Sequence, residues 1–371
     1  MTKQKPLRVL VVDDTVIYRK IVADILAELP NVEVVGIAHN GKIALSKIAS
    51  LKPDLLTLDI EMPEMNGLEV LAYIRENALD VGAIMLSTLT HQGGQMTMKA
   101  LELGAFDFLP KPQTGGMEEN KEAIRKTLSN ILKAFESSSR IKSILKGKPG
   151  PSVGLQAAKG PGAPRHPVRR MAAITKQRRE KARIITIGIS TGGPNALSKM
   201  MPKIPADLGV PILVVQHMPP VFTESLAKSL NSKCAIEVRE ATDGESLKAD
   251  TALIAPGGKQ MKIVAAADGK TRIVRITDDP PENSCKPSVD YLFRSVAHHY
   301  VGRATGVIMT GMGSDGTLGL KLMKRNGATI IAQDEASCTV YGMPREPAEA
   351  GIVDVIAPLD RIAEEICRTV R

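Results

Sequence analysis

The chain has 371 residues, more than one hydrophobic core ordinarily fills, so two domains are expected. Hydrophobic residues make up 43% and charged residues 24%, the balance of an ordinary globular protein, while Trp is absent and aromatics stand at 3%, which weighs against base stacking on nucleic acid. The formal charge is +9, but residues 140–181 hold twelve Lys or Arg against Glu180 alone, a net of +11 that leaves about −2 for the rest.

Cys234, Cys285, Cys338 and Cys367 have neither metal-ligand spacing nor the density of a disulfide scaffold, and read as reduced thiols. The N-terminal MTKQKPLRVLVVDD lacks signal-peptide architecture, and no apolar run is long enough to cross a bilayer. A cytoplasmic protein without membrane insertion is the expectation.

In chain order, LRVLVVDD is an apolar strand ending in paired acids, and VIYRKIVADILAEL has apolar residues at helical spacing. NVEVVGIA, DLLTLD, GAIMLST and AFDFLPK read as four further strands. GKIALSKIASL, NGLEVLAYIREN and TMKALELG read as helices between them, and a last helix is expected over 117–137. This alternation predicts a parallel (βα)5 sheet covered on both faces.

Loops beyond the carboxyl ends of such strands gather in space. Asp13 and Asp14 end the first strand, Asp59 the third, Ser87 and Thr88 the fourth, and Lys111 follows the fifth. Each alone has a plain reading: an acid capping a helix, a loop hydroxyl, a solvated lysine. Together, three carboxylates repel one another unless a cation intervenes, and hard oxygen ligands suit Mg²⁺.

VDD, LDIEMPEMNG and LPKP, with the hydroxyl at the fourth strand end, resemble a response-regulator receiver domain over about 7–135. The resemblance implies that Asp59 accepts phosphoryl from a histidine kinase. It also implies that Asp13, Asp14, Asp59 and the Glu61 carbonyl hold Mg²⁺, and that Ser87 and Lys111 sense the acyl phosphate. Phe108 lies where such domains place a switching aromatic; a core role fits it equally well.

Residues 138–181 include KGKPGPSVGLQAAKGPGAPRHPVRR, whose glycines and prolines discourage a continuous helix or strand. They read as a flexible basic linker between domain 1–137 and domain 182–371, serving spacing and solubility, or docking to an acidic partner.

In the C-terminal half, RIITIGI is a buried strand, and PNALSKMMPKI begins a helix with proline in its first turn. GISTGG between them puts the Ser190 hydroxyl at a strand-to-helix turn, where free amides can stabilise negative charge. Gly188-Ile-Ser-Thr-Gly192 has nucleophile-elbow spacing, but so short a match also fits a cap or phosphate turn. VPILVVQHMPP ends its strand at His217, in isolation a core or capping histidine, which at the same sheet edge serves as a base. GVIMTG leads into Met312-Gly-Ser-Asp315-Gly. Asp315 is either the N-cap of the next helix or the group that orients His217. Asp290, in PSVDYLF, reads chiefly as a helix-start residue; KIVAAADGKTRIVRI reads as a hairpin.

GISTGGP, QHMPPVFTESLAKSLN, PSVDYLF and TGMGSDG together resemble the methylesterase domain of the chemotaxis CheB family, over about 182–368. The fold expected is α/β, with two doubly wound parallel-sheet domains, the second Rossmann-like. The family implies Ser190 as nucleophile, His217 as base and then acid, Asp315 as orienter, the Met312 amide as an oxyanion donor and Thr191 as support, with no metal in this domain. Its substrates would be γ-glutamyl methyl esters of methyl-accepting chemotaxis receptors, with deamidation of receptor glutamines in addition. A chemotaxis histidine kinase, receiver packing over the active edge and recruitment to receptor arrays complete the expectation. A non-catalytic docking protein and a serine hydrolase of another protein substrate are the alternatives; no nucleic-acid partner is expected.

Overall fold

A computed structural model describes residues 5–112, 116–146, 169–170 and 180–371. The N-terminal half alternates as the hydrophobic pattern requires. In order it runs β1 (Leu7–Val12), α1 (Val16–Glu28), β2 (Val32–Ala38), α2 (Gly41–Leu51), β3 (Leu55–Asp59), α3 (Gly67–Glu76), β4 (Gly82–Thr88), α4 (His91–Leu103), β5 (Asp107–Lys111) and α5 (Met117–Lys146). The five strands form one parallel sheet, ordered β2-β1-β3-β4-β5. Helices cover both faces, which is why β3 is buried at every position.

The C-terminal half contains β6 (Arg169–Arg170), β7 (Ile184–Ile189), α6 (Gly193–Met200), β8 (Ile212–Gln216), α7 (Phe222–Asn231), β9 (Glu237–Glu240) and β10 (Thr251–Ile254). A hairpin of β11 (Gln260–Ala265) and β12 (Arg272–Thr277) follows. Then come α8 (Val289–His299), β13 (Ala304–Ile308), α9 (Thr317–Arg325), β14 (Thr329–Gln333), α10 (Arg345–Glu349), β15 (Val355–Ala357) and α11 (Leu359–Val370). The main sheet is ordered β6-β15-β14-β13-β7-β8-β10-β9, parallel throughout except where β6 meets β15. The chain winds outward from β7 through β8 to β10, then returns to β13 and winds the other way. That reversal opens a crevice beyond the carboxyl end of β7, where α/β sheets place their ligands.

Two details differ from the sequence reading. The helix expected to stop at 137 continues to Lys146, because SSSRIKSILK contains no glycine or proline to end it. Arg169 and Arg170, inside the expected linker, pair antiparallel with Ile356 and Val355. Residues 147–168 and 171–179 of that linker lie outside the described residues. Among the described residues no helix is long and apolar enough to cross a membrane.

The two halves meet along α4 and the start of β5, which pack on α6 and α7. Phe108 stacks on Phe222 with ring centroids 4.5 Å apart, and both rings are buried. Around them, Ser229 donates to Glu102 at 2.8 Å, Lys233 pairs with the same carboxylate, and His91 faces Glu224 at 3.3 Å. The apolar centre supplies the attraction; the half-exposed ion pairs at the rim contribute little and set register.

Candidate active site

The crevice beyond β7 collects the three predicted residues. Ser190 follows β7, His217 follows β8, and Asp315 lies in the loop between β13 and α9. His217 Nε2 and Asp315 Oδ2 are 2.8 Å apart, so the ring donates from Nε2 and leaves Nδ1 as its second nitrogen. Among the described residues no hydrogen bond joins the Ser190 side chain to His217. Ser190 is held by its backbone: its amide donates to Thr310 O at 3.0 Å, and its carbonyl accepts from Gln216 Nε2 at 3.0 Å.

Gln216 shows why glycine follows this serine. Its buried amide also reaches the His217 carbonyl at 3.2 Å, tying the two strand ends together. A Cβ on Gly193 would sit 1.9 Å from Gln216 Oε1, so no larger residue fits without displacing the tie. Gly192 has φ +76° and starts α6 without a side-chain cap. Among the described residues the amide of Met312 has no hydrogen-bond partner, consistent with a donor to a developing oxyanion. Thr191 lies under the N-terminal half, with its side chain beside Asp107; burial pushes that carboxyl up to about 6.

Asp315 is fixed by an arrangement the sequence did not disclose. Its carboxylate accepts from Val289 N at 2.7 Å, Asp290 N at 3.1 Å, Ser288 Oγ at 2.9 Å and Asn283 Nδ2 at 3.1 Å. Two of these donors are the first free amides of α8, where a negative charge is stabilised. Burial opposes ionisation, but the hydrogen bond with His217 and these amides bring Asp315 down to about 2. Asp290 returns the arrangement: its Oδ1 accepts from Gly319 N of α9 at 2.6 Å. The expected helix-start role is therefore real but belongs to a different helix. The clue was the serine-led start PSVD, an anion-binding helix terminus with no obvious anion nearby in sequence.

Burial disfavours a charged His217, yet Asp315 and the neighbouring Cys285 outweigh it and raise the ring to about 9. Cys285 Sγ lies 3.7 Å from His217 Nδ1, a neighbour that cysteine spacing could not reveal.

A second cluster lies at the carboxyl ends of β1, β3 and β5. Oxygens of Asp13, Asp14 and Asp59 lie within 4.8 Å of one another. Lys111 Nζ is 2.7 Å from Asp59 Oδ2 and 2.8 Å from Asp13 Oδ2. Asp13 Oδ2 is buried and meets only the Lys111 ammonium, which leaves it a lone pair open to a cation. Burial pushes Asp59 up to about 6; Lys111 opposes this, and Asp13 and Asp14 add to it. One lysine thus leaves the three acids short of positive charge, and the donor set fits a hard divalent ion. Glu61 stands exposed two residues past Asp59. Ser87 faces away, toward α4: Thr97 donates to it at 2.7 Å, and its hydroxyl reaches Gly93 O at 3.3 Å. Phe108 lies in the contact between the halves.

Comparisons agree with this division. The response regulator receiver domain family matches residues 9–125, and the CheB methylesterase family matches 185–366. A protein of Desulfotalea psychrophila, named protein-glutamate methylesterase/protein-glutamine glutaminase, is 56% identical across 99% of each chain. A Trichodesmium erythraeum protein of the same name is 43% identical over 98% of this chain and 99% of its own. The solved CheB methylesterase catalytic domain of Thermotoga maritima is 38% identical, covers 51% of this chain and 99% of its own, and superposes with a TM-score of 0.49. With these matches over both halves, the chain belongs to the CheB family of chemotaxis methylesterases, which join a response-regulator receiver domain to a methylesterase domain.

Proposed function

We propose that this protein hydrolyses γ-glutamyl methyl esters of chemotaxis receptors at Ser190, with phosphorylation of Asp59 controlling access. Protein-glutamate methylesterase and protein-glutamine glutaminase activity on chemotaxis receptors is the function of the family across its full-length relatives. The observation that carries the residue assignment is the 2.8 Å His217–Asp315 bond at the switch point of the sheet, on the strand next to Ser190.

Asp315 holds the proton on Nε2, so Nδ1 is the base. As substrate enters, Nδ1 takes the Ser190 proton and Oγ attacks the ester carbonyl. The oxyanion is met by the Met312 amide, with Thr191 as support, since at the start of α6 the Gly193 amide is taken by the Ser190 carbonyl and Pro194 has none; a donor so placed is worth about 2.7–4 kcal/mol in the transition state. His217 then gives its proton to the departing methoxide, and methanol leaves. Water, deprotonated by Nδ1, cleaves the glutamyl-serine ester and restores Ser190. With a glutamine substrate the same steps release ammonia.

In the receiver, Asp13, Asp14 and Asp59 with the Glu61 carbonyl would hold Mg²⁺, which neutralises charge as the phosphoryl group arrives from a histidine kinase. Lys111 already touches Asp59 and stays with the new anion. Drawing Ser87 toward that anion takes it from Thr97 and Gly93 of α4, the helix that packs on α7. Phosphorylation therefore weakens the contact made by Phe108, Glu102 and Gly94, and the receiver uncovers the Ser190 edge. We assign 1–137 to the receiver and 182–371 to the methylesterase domain. The enzyme works in the cytoplasm at membrane receptor arrays, without inserting in the bilayer.

The test is methanol release from methylated receptor by the phosphorylated full chain. Methanol equal in amount to the glutamates restored supports the assignment; no methanol from a folded, phosphorylated protein contradicts it.

A further inference from the structure

The esterase mechanism has no use for Cys285, yet the backbone places it with care. Glu282 and Cys285 exchange hydrogen bonds of 3.1 and 2.7 Å across a two-residue turn. Gln260 Nε2 donates to the Cys285 carbonyl at 3.4 Å. The half-buried thiol therefore stands 3.7 Å from His217 Nδ1, the nitrogen not engaged by Asp315.

A nitrogen at about 2.0 Å and a thiolate sulfur at about 2.3 Å from one tetrahedral zinc are separated by roughly 3.5 Å. The 3.7 Å between Nδ1 and Sγ is nearly that edge. The ring is also backed as zinc-ligating imidazoles are, with the opposite N–H on a carboxylate. Although Asp315 groups with His217 and Cys285 by distance, its oxygens already accept five hydrogen bonds from His217, Asn283, Ser288, Val289 and Asp290. It stands behind the ring and is not itself a ligand.

We propose that His217 Nδ1 and Cys285 Sγ form a binding site for a borderline-soft divalent cation of the Zn²⁺ type, and that filling it silences the esterase. This rests on His217 being the base that deprotonates Ser190. On binding, Cys285 releases its thiol proton to solvent, and sulfur and Nδ1 each donate one electron pair to the metal. Nothing is oxidised, Nε2–H stays on Asp315, and water fills the remaining positions. The pair that would take the serine proton is then occupied. Two protein ligands make a reversible site, cleared by a chelator. Sulfur and imidazole select against Mg²⁺, so the receiver and esterase ends sort different metals.

The test uses the full chain with Co²⁺ as optical probe and Zn²⁺ as inhibitor. With Mg²⁺ in excess to hold the receiver site, wild type shows a saturable thiolate-to-cobalt charge-transfer band; Cys285→Ser does not, and Cys367→Ser does. For inhibition, each protein's methanol release is normalised to its own rate in chelator, and Cys285→Ser needs at least about 100-fold more zinc than wild type. Absence of the band in wild type, equal zinc sensitivity in Cys285→Ser, or a wild-type rate untouched by bound metal would each overturn the proposal. A chain inactive even in chelator would instead count against the esterase assignment, and the cobalt titration would still decide the site.

Discussion

Gly94 offers a perturbation that separates domain packing from domain stability. It lies in the buried stretch of α4, where a Cβ would come 2.5 Å from Ser225 Oγ and 3.6 Å from Val221 Cγ1 of the methylesterase half. Alanine is a weak wedge, since the serine hydroxyl can rotate away. In Gly94→Leu the added carbons have no such escape, and overpacking of this kind costs about 1–3 kcal/mol. Within α4 itself the change replaces a poor helix former and favours the helix by roughly 0.8 kcal/mol. That gain is present whether or not the halves are docked, so it cancels in the docking equilibrium. A penalty of about 1–3 kcal/mol shifts that equilibrium roughly 5–150-fold toward the open form. Methanol release by unphosphorylated Gly94→Leu should rise by a factor in that range, up to the rate of phosphorylated wild type, while phosphorylation adds little more. A folded Gly94→Leu that stays at the unphosphorylated wild-type rate, while phosphorylation still activates wild type, would refute control by this contact.

Three further outcomes follow from the same geometry. Gly193→Ala forces Gln216 Oε1 from its place 1.9 Å from the new methyl, so the ties to Ser190 and His217 are lost; thermal melts should show a loss of about 1–3 kcal/mol together with a falling rate, and an unchanged melt and rate would contradict this. Asp59→Asn should abolish phosphorylation-dependent activation and leave the unphosphorylated rate in place, as read by methanol release with and without a phosphodonor; full activation would remove Asp59 as acceptor. Because His217 must be neutral to act as base and its pKa is raised to about 9, kcat/KM should climb as pH rises through about 9. Its contribution to stability runs the other way: the folded pKa lies above the ordinary 6.5, so that stability is complete below about 6.5 and lost through about 9. An activity profile flat across that window would contradict the assignment.

The first sheet was legible throughout, and β7, β8 and β13 of the second, because these strands carry apolar runs that end in polar residues; β6 (RR) and β9 (EVRE) carry no such run and give no such signal. LRVLVVDD and RIITIGI announce buried parallel strands, and parallel strands bring their carboxyl ends to one edge. Convergence of Asp13, Asp59 and Lys111, and of Ser190, His217 and Asp315, needed no more than that alternation. What could not be read depends on contacts distant in sequence. The amides holding Asp315 belong to a helix 25 residues earlier, and Asp290 serves a helix 29 residues later. Cys285 meets His217 across 68 residues through a loop with no periodicity to betray its position. Phe108 and Phe222 likewise face each other only because the two halves dock, a fact outside the reach of either half's own hydrophobic pattern.

Ser190 as nucleophile and His217 as base are tested most directly by receptor demethylation with Ser190→Ala and His217→Ala. With matched folded concentrations and phosphorylated receivers, each variant should release methanol at least about 10³-fold more slowly than wild type. A wild-type rate in either variant would contradict the mechanism.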